Sequence, residues 1–183
     1  KKAHQNDILI LNSQTVTSFQ ELNDCVEVET NGITFKTNKL LFTTNGFASQ
    51  LTNNQVKPAR AQVLITKPIP NLDIKGTFHL DKGYFYFRNI NDRILFGGGR
   101  NLDFEGETTT SHNTTELIQN RLEELLKTVI LPDQAFEIEH RWSGTMGVGT
   151  HKKPIVEQLS NNVYCGVRMG GMGVAIGSLV GQE

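Results

Sequence analysis

The glycine-rich segment at residues 170–177 has the residue types of a binding turn. It follows an apolar pattern at residues 162–167 that predicts a strand, and it opens an apolar run that predicts a helix. At such a junction, free backbone N–H groups and the positive end of the helix dipole attract negative charge, and glycines let a flat group approach. A dinucleotide fingerprint requires a following βα unit and an acidic residue about 20 positions further on. Neither follows this segment. The residues therefore predict a binding turn, and a tightly packed helix entry is the alternative.

A second candidate site lies in the aromatic segment at residues 84–88. In an extended strand Tyr84, Tyr86 and Arg88 share one face, whereas the two phenylalanines between them face the other way. A guanidinium flanked by phenols binds a small carboxylate through charge-assisted hydrogen bonds. The alternative is an ordinary sheet with one apolar face and one solvated face.

A third segment, at residues 141–154, combines Arg and Trp with a glycine-rich loop that carries two lysines. The lysines would steer an anion, and a solvated loop is the alternative. His151 in this loop is a weak candidate for a catalytic base. The chain has no Gly-x-Ser-x-Gly elbow, phosphate-binding loop or His-Glu-x-x-His motif, so the catalytic residues are unknown at this point.

Cysteine and histidine spacing argues against a metal site or a disulfide framework. Cys25 and Cys165 lie far apart, and the 5 histidines are scattered without metal-ligand spacing. We expect two free thiols and no metal.

Charge and hydropathy narrow the function classes further. Eighteen basic and 19 acidic residues give a net charge of -1, which argues against a nucleic-acid partner. No apolar run reaches the length of a membrane span, and the first residues are polar rather than a leader. We therefore expect a cytoplasmic protein.

The elements that would position these residues are mainly strands. Two hairpins are predicted, with turns at Asn31-Gly32 and Asn91-Asp92. The unbroken apolar run at 40–44 favours a buried strand of a parallel sheet, and Asn45-Gly46 ends it. A capping-box pattern from Asn113 predicts a helix over 114–130. The predicted strands span 8–11, 25–29, 33–36, 40–44, 62–66, 84–88, 93–96, 136–140 and 162–167, and a glycine-rich loop is expected after residue 140.

In order along the chain, several of these segments resemble the flavin-dependent amine and amino-acid oxidoreductases, the family of D-amino acid oxidase, glycine oxidase and sarcosine oxidase. The segments are LLFTTNGF (40–47), PARAQVL (58–64), GYFYFRNINDRILFGGGR (83–100), RWSGTMGVGTHKKPIV (141–156) and NVYCGVRMGGMGVAIGS (162–178). The family's N-terminal Gly-x-Gly-x-x-Gly turn has no match. The resemblance therefore implies the C-terminal half of such an enzyme.

The resemblance also implies a fold class and domain layout. The expected fold is α+β (α/β), with an antiparallel substrate-binding sheet and a covering helix, flanked by pieces of an FAD-binding Rossmann-like domain. Residues 1–50 and 141–183 would belong to the FAD-binding domain. Residues 51–140 would form the substrate-binding sheet with its helix at 114–130.

The resemblance assigns site residues as well. Asn45 and Gly46 look like the second cofactor-contacting turn of the family. The loop beside the flavin ring would be formed by Gly170, Gly171, Met172, Gly173 and Val174. The substrate-side groups would be Tyr84, Tyr86, Arg88 and Arg168, the last of which departs from the family pattern. Some members attach their flavin through a cysteine in the segment matching 141–156, and since no cysteine lies there, we expect non-covalent FAD.

The activity implied is oxidation of the CH–NH or CH–NH2 bond of a small amine or amino acid by hydride transfer to flavin. The electron acceptor is not predicted. One alternative is a non-catalytic binding or scaffold domain that does not bind flavin. Another is a flavin oxidase acting on a modified tRNA base. As a C-terminal piece, the chain is expected to be colourless and inactive alone.

Overall fold

The computed structural model describes residues 2–52 and 55–182. In this part of the chain, three β-sheets carry most of the structure, and helices are few. The α-helices are α1 (Lys2–Gln5), α2 (Glu116–Leu125) and α3 (Gly173–Val180). Short 3-10 helices span Asn45–Gln50, Asp81–Gly83 and Arg100–Leu102, and a π-helical turn spans Leu126–Ile130. The expected α+β fold with antiparallel sheets is confirmed.

The first sheet is a three-stranded antiparallel meander near the start of the chain. Its strands are β1 (Val16–Glu21), β2 (Val26–Thr30) and β3 (Thr34–Thr37), in that order. The hairpin predicted at Asn31-Gly32 is confirmed by the β2–β3 pairing. The strand predicted at 8–11 was wrong, because that apolar run is exposed and unpaired. The first strand lies further on, in a segment whose mixed polarity gives no clear apolar pattern.

The second sheet joins distant parts of the chain. It contains β4 (Leu40–Phe42), β10 (Ile155–Gln158) and β11 (Val163–Val167), in the order β10-β11-β4. β4 and β11 run parallel, as the apolar pattern predicted. Burial on both faces was wrong for this strand, since Phe42 is buried but Leu41 is 60% exposed. The reason is that Leu41 lines an open cleft on this side of the sheet.

The third sheet is the largest, and all its pairings are antiparallel. Its strands are β5 (Lys57–Thr66), β6 (Thr77–Leu80), β7 (Phe85–Ile90), β8 (Arg93–Gly98) and β9 (Ile138–Val148), in the order β6-β7-β8-β5-β9. The hairpin predicted at Asn91-Asp92 is confirmed. The glycine-rich loop expected after residue 140 was wrong, because β9 continues to Val148 and pairs with β5 over its length. The predicted domain boundary between residues 140 and 141 falls inside this strand.

Helix α2 packs on one face of the large sheet, which we call the inner face. The core between them contains Leu64, Phe85, Ile94, Phe96, Ile118, Leu122 and Leu126. Burial of these side chains is the main force that holds the helix to the sheet, at about 1.5–3 kcal/mol for each large apolar side chain. The opposite face of the sheet, which we call the open face, carries the partly exposed side chains of Tyr86 and Trp142.

The predicted capping box does not form, and this prediction was wrong. Thr115 is the residue at the helix N-cap, but its side chain makes no cap hydrogen bond. Its hydroxyl accepts a hydrogen bond from the Gln62 amide at 2.9 Å instead. Gln62 is 1% exposed, so its amide needs internal partners, and the helix entry supplies them. The α-helix itself ends at Leu125, with the π-helical turn completing the segment predicted over 114–130.

A buried ion pair anchors the loop before α2 to the inner face. Arg60 and Glu107 are 4% and 1% exposed, and two hydrogen bonds of 2.9 and 2.6 Å join the guanidinium to the carboxylate. Hydrogen bonding to Glu107 raises the pKa of Arg60 above its ordinary value. Asn113 and Gln62 complete the polar layer. The loop from 103 to 115 is therefore fixed against β5.

Candidate functional site

Three segments distant in sequence meet at one junction. They are the turn at Asn45-Gly46, the end of β9 and the turn after β11. The Met169 N–H donates to Oδ1 of Asn45 at 3.0 Å, and the Gly170 N–H donates to the Gly147 carbonyl at 2.9 Å. These bonds fix the glycine turn to both neighbouring segments.

The junction needs glycine because its backbones approach closely. A Cβ atom on Gly46 would lie 2.8 Å from the Met146 carbonyl oxygen, and one on Gly147 would lie 2.5 Å from Oδ1 of Asn45. Both distances are too short for a real Cβ contact. The predicted cofactor residue Gly46 is therefore buried behind the junction and determines its packing.

The glycine turn leaves several backbone donors free. Gly170 and Gly171 have φ values of +57° and +82°, in the left-handed region that favours glycine. Helix α3 then begins at Gly173. The N–H groups of Gly171, Gly173 and Val174 have no acceptor in the described part of the chain. Their position at a helix N-terminus makes them suitable partners for negative charge.

A cleft of about 1030 Å³ borders this turn. It lies between α3 and the sheet formed by β4, β10 and β11, and it extends to Met146 on β9. Four of the predicted cofactor residues line it, namely Asn45, Gly171, Gly173 and Val174. Met172 instead lines a smaller neighbouring cavity, together with Lys152 and Lys153. Gly170 belongs to the same turn but does not line the cleft.

The open face of the large sheet adjoins the junction. Residues that are directly opposite in an antiparallel pair share a face, so the register defines rows across the strands. One row contains Tyr86, Gly97, Val63 and Trp142, and the next contains Arg88, Leu95, Ile65 and His140. The structure therefore brings Tyr86 and Arg88 together on the open face, as predicted.

Tyr86 and Arg88 both carry uncommitted polar groups. The Tyr86 ring lies across Gly97, where an added Cβ would be 2.9 Å from the phenol oxygen. Burial raises the pKa of this phenol above its usual value. Neither side chain has a hydrogen bond or an ion pair within residues 2–52 and 55–182. In contrast, Arg93 and Arg141 are held by Glu139 and Glu123.

The other two predicted substrate residues lie elsewhere. Tyr84 precedes β7 with φ -69° and ψ -24°, so the prediction that it shares a strand face with Tyr86 was wrong. The cause is the 3-10 turn that leads into the strand. Arg168 is 8% exposed and its Nε donates to the Lys153 carbonyl at 2.8 Å, beneath the loop at 149–153.

Sequence reasoning missed the contribution of β9 to the open face. Trp142, Gly144 and Met146 alternate along the strand, opposite Val63, Ala61 and Ala59 of β5. The period-2 pattern of this segment was a signal for a strand, but its glycines suggested a loop. Met146 also reaches the glycine turn, with its sulfur 3.2 Å from the Cβ position of Gly171.

Two negative observations apply to residues 2–52 and 55–182. There is no cluster of three or more His, Cys, Asp or Glu side chains that could hold a metal ion. The helices in this part of the chain are all too short or too polar to cross a bilayer. Cys25 and Cys165 are both free thiols.

Solved structures share this fold over nearly the whole chain. L-Proline dehydrogenase from P. horikoshii matches with a TM-score of 0.81 at 20% identity, over 98% of this chain and 50% of its own. Iminodiacetate oxidase from Chelativorans sp. BNC1 matches with a TM-score of 0.77 at 17% identity, over 98% of this chain and 50% of its own. Glycine oxidase from Geobacillus kaustophilus matches with a TM-score of 0.75 at 15% identity, over 99% of this chain and 51% of its own. The chain thus spans about half the length of these proteins.

Sequence comparison identifies the family. The chain has no match among curated proteins. The family model described as DAO, FAD dependent oxidoreductase, matches residues 1–183. Both the resemblance and FAD as the cofactor of the family are thereby confirmed. The chain belongs to the FAD-dependent oxidoreductase family.

Proposed function

We propose that the protein, in its natural full length, oxidises the CH–NH or CH–NH2 bond of a small amine or amino acid. The observation that carries this proposal is the contact between the glycine turn and the open face, made by Met146 and Gly171. It brings a backbone site for negative charge to one end of the open face, the face that also carries Tyr86 and Arg88 further along the sheet. FAD, when bound, supplies the acceptor for the hydride removed from the substrate carbon.

The residues at the turn fit the flavin. In the described part of the chain the N–H groups of Gly171, Gly173 and Val174 have no acceptor, and they would stabilise negative charge on a flavin ring bound at the turn. Gly171 has a positive φ that suits glycine, and Asn45 holds the turn in place through the Met169 N–H. With no cysteine in 141–156, we propose that FAD is held non-covalently.

On the substrate side we propose roles for Tyr86 and Arg88, whose polar groups are free on the open face. Arg168 is engaged with the Lys153 carbonyl, which favours a role in fixing the loop at 149–153. Tyr84 lies near Phe104, with ring centroids 6.2 Å apart, at the margin of the open face.

The proposal is tested by the visible spectrum of the purified full-length protein. We expect flavin absorption, release of the flavin on acid precipitation, and bleaching by at least one member of a panel of primary and secondary amines without oxygen. A protein without flavin would support the alternative of a binding or scaffold domain. Flavin that no amine in the panel bleaches would contradict amine oxidation.

A further inference from the structure

Arg168 is a buried cation without an anionic partner. The residue is 8% exposed, and its Nε donates to the Lys153 carbonyl at 2.8 Å. Its Nη groups have no acceptor within residues 2–52 and 55–182, and none of the ion pairs in this part of the chain includes Arg168. Burying a charge is unfavourable unless the charge is paired. The guanidinium therefore lies where an anion would be stabilised.

The backbone at Arg168 is strained as well. Its φ of +63° lies in the left-handed region, which is sterically disfavoured for every residue with a side chain and favourable for glycine. Gly170 and Gly171, which follow in the same turn, also have positive φ values. Arg168 thus combines an unfavourable backbone with an unpaired buried charge. Strained residues of this kind are concentrated at functional sites, so the outlier is a reason to assign a ligand to the guanidinium.

The segments around Arg168 supply no acidic side chain. Residues 30–72, 141–156 and 158–182, which include β5, the end of β9 and the glycine turn, contain no Asp or Glu. The intervening Glu157 lies on β10 opposite Cys165 and lines the cleft beside α3. In the loop from 103 to 115, Glu107 is bound to Arg60 on the inner face. The corner of the molecule around Arg168 is therefore positively charged.

The start of β5 adds a second cation to this corner. A Cβ atom on Gly149 would lie 3.3 Å from Nη1 of Arg168 and 2.9 Å from the Gln55 carbonyl oxygen, so the guanidinium extends past Gly149 toward β5. Lys57 pairs with Val148, the residue before Gly149. Its side chain is exposed and forms no ion pair with any described residue. Lys57 is thus free to contact an anion that Arg168 also binds.

The loop at 149–153 adds two further cations. Lys152 and Lys153 are exposed, and they line a cavity of about 720 Å³ together with Met172 of the glycine turn. Because the Lys153 carbonyl accepts the hydrogen bond from Nε of Arg168, the buried guanidinium and the basic loop are held together.

We propose that Arg168, Lys57 and the lysines of this loop bind an anionic oxygen group, a carboxylate or a phosphate, of a ligand other than FAD. The planar guanidinium binds either group through paired hydrogen bonds. The lysines attract the same group as point charges. The site does not depend on where the flavin ring lies or on amine oxidation, so it goes beyond the proposed function.

Thermal unfolding of the FAD-saturated full-length protein tests this site. The probes are sodium phosphate and sodium acetate, each compared with sodium chloride at equal ionic strength, so that general screening cancels. An anion that binds only the folded state raises Tm as its concentration increases. We expect a saturable rise in Tm with at least one probe, and the probe that acts identifies the group as a phosphate or a carboxylate.

Arg168→Gly removes the guanidinium and suits the left-handed backbone. Without a probe, this variant should melt at no lower temperature than the wild type, because the strain and the unpaired charge are both removed. With the probe, its Tm should not show the saturable rise, so the wild type becomes the more stable protein.

Lys57→Gln changes an exposed side chain and should raise the apparent Kd of the probe several-fold without loss of folding. Lys67→Gln is the matched control. Lys67 lies beyond the other end of β5 and already pairs with Glu137 at 2.5 Å, so its loss should leave the Kd unchanged.

Several outcomes would overturn the anion site. They are a wild type that shows no saturable response to either probe, a response that is the same in Arg168→Gly, and equal effects of Lys57→Gln and Lys67→Gln. A response of the apoprotein that FAD abolishes would show that the phosphates of the cofactor occupy the site, which overturns a separate ligand. The visible spectrum and the bleaching by amines test the proposed function independently of these results.

Discussion

Gly171 combines two constraints in a single residue. Its φ of +82° lies in the left-handed region, and a Cβ there would be 3.2 Å from the Met146 sulfur. The first constraint penalises any L side chain by about 1–2 kcal/mol. The second means that Met146 must shift to make room. Any ligand of the free N–H groups depends on this local geometry.

The first prediction concerns Gly171→Ala in the full-length protein. Because the left-handed backbone is strained by about 1–2 kcal/mol, we expect the Kd for FAD to rise by roughly five- to thirtyfold. Titration of the apoprotein with FAD, followed by flavin fluorescence, measures this change. Gly32→Ala is the control, since its Cβ would meet only the flexible Gln14 side chain, at 3.4 Å. Equal affinities for the two variants would show that the turn does not contact the flavin.

Arg88→Ala gives a second prediction at the same scale. Arg88 is exposed and free of ion pairs in the described part of the chain, so its loss should not affect folding. We expect KM to rise for substrates whose anionic group is remote from the amine, and kcat/KM for N-methylbenzylamine to stay within about twofold, the range of surface substitutions. Steady-state kinetics with both kinds of substrate measure the two effects. Arg121→Ala, on the exposed side of α2, is the control. A parallel loss for both substrates would place Arg88 close to the reacting carbon.

At the scale of elements, the inner face of the large sheet depends on a buried polar layer. The loop from 103 to 115 is fixed by Glu107, which pairs with Arg60 and accepts a hydrogen bond from Gln62. A buried pair is not in itself a strong source of stability, but removing one partner leaves an uncompensated charge.

We therefore predict that Glu107→Gln lowers the free energy of unfolding by about 3 kcal/mol, the lower end of the cost of breaking a buried pair. Urea unfolding of the variant measures this loss. Glu124→Gln is the matched control, because its pair with Arg121 is exposed and should cost less than about 1 kcal/mol. Similar losses for the two variants would contradict the structural role of Glu107.

The local sequence pattern predicted the elements whose burial follows a simple period. It failed where contacts with residues distant in sequence determine the structure. The β4 strand was predictable from its unbroken apolar run, and both hairpins were predictable from their turn residues. The helix entry was not, since Thr115 binds a buried amide from a strand 53 residues earlier. The glycines of β9 suggested a loop, but they lie within a strand. Gly147 allows the close approach of Asn45, and Gly144 leaves an open surface. The glycine turn was predictable from its glycines, and the contribution of β9 to the open face was not, because it needs the register of β5 and β9.

At the scale of the whole molecule, the cleft between α3 and the β4 sheet is apolar and open. Leu41 on the edge strand is 60% exposed, and Val174 at the start of α3 is fully exposed. Helix α3 has no buried residue. An apolar surface of this kind promotes association.

We predict that the isolated 183-residue chain self-associates through this cleft. Sedimentation velocity should show concentration-dependent association. The double substitution Leu41→Lys with Val174→Lys should abolish it, because the clefts of two associating chains would then both carry positive charges that repel each other. The matched control is Leu117→Lys with Val129→Lys, which changes the same residue types at 54% and 53% exposure on the outer side of the α2 segment. That control should associate like the parent chain. Association that survives the cleft substitutions, or that the control also abolishes, would show that the apolar cleft is not the surface responsible.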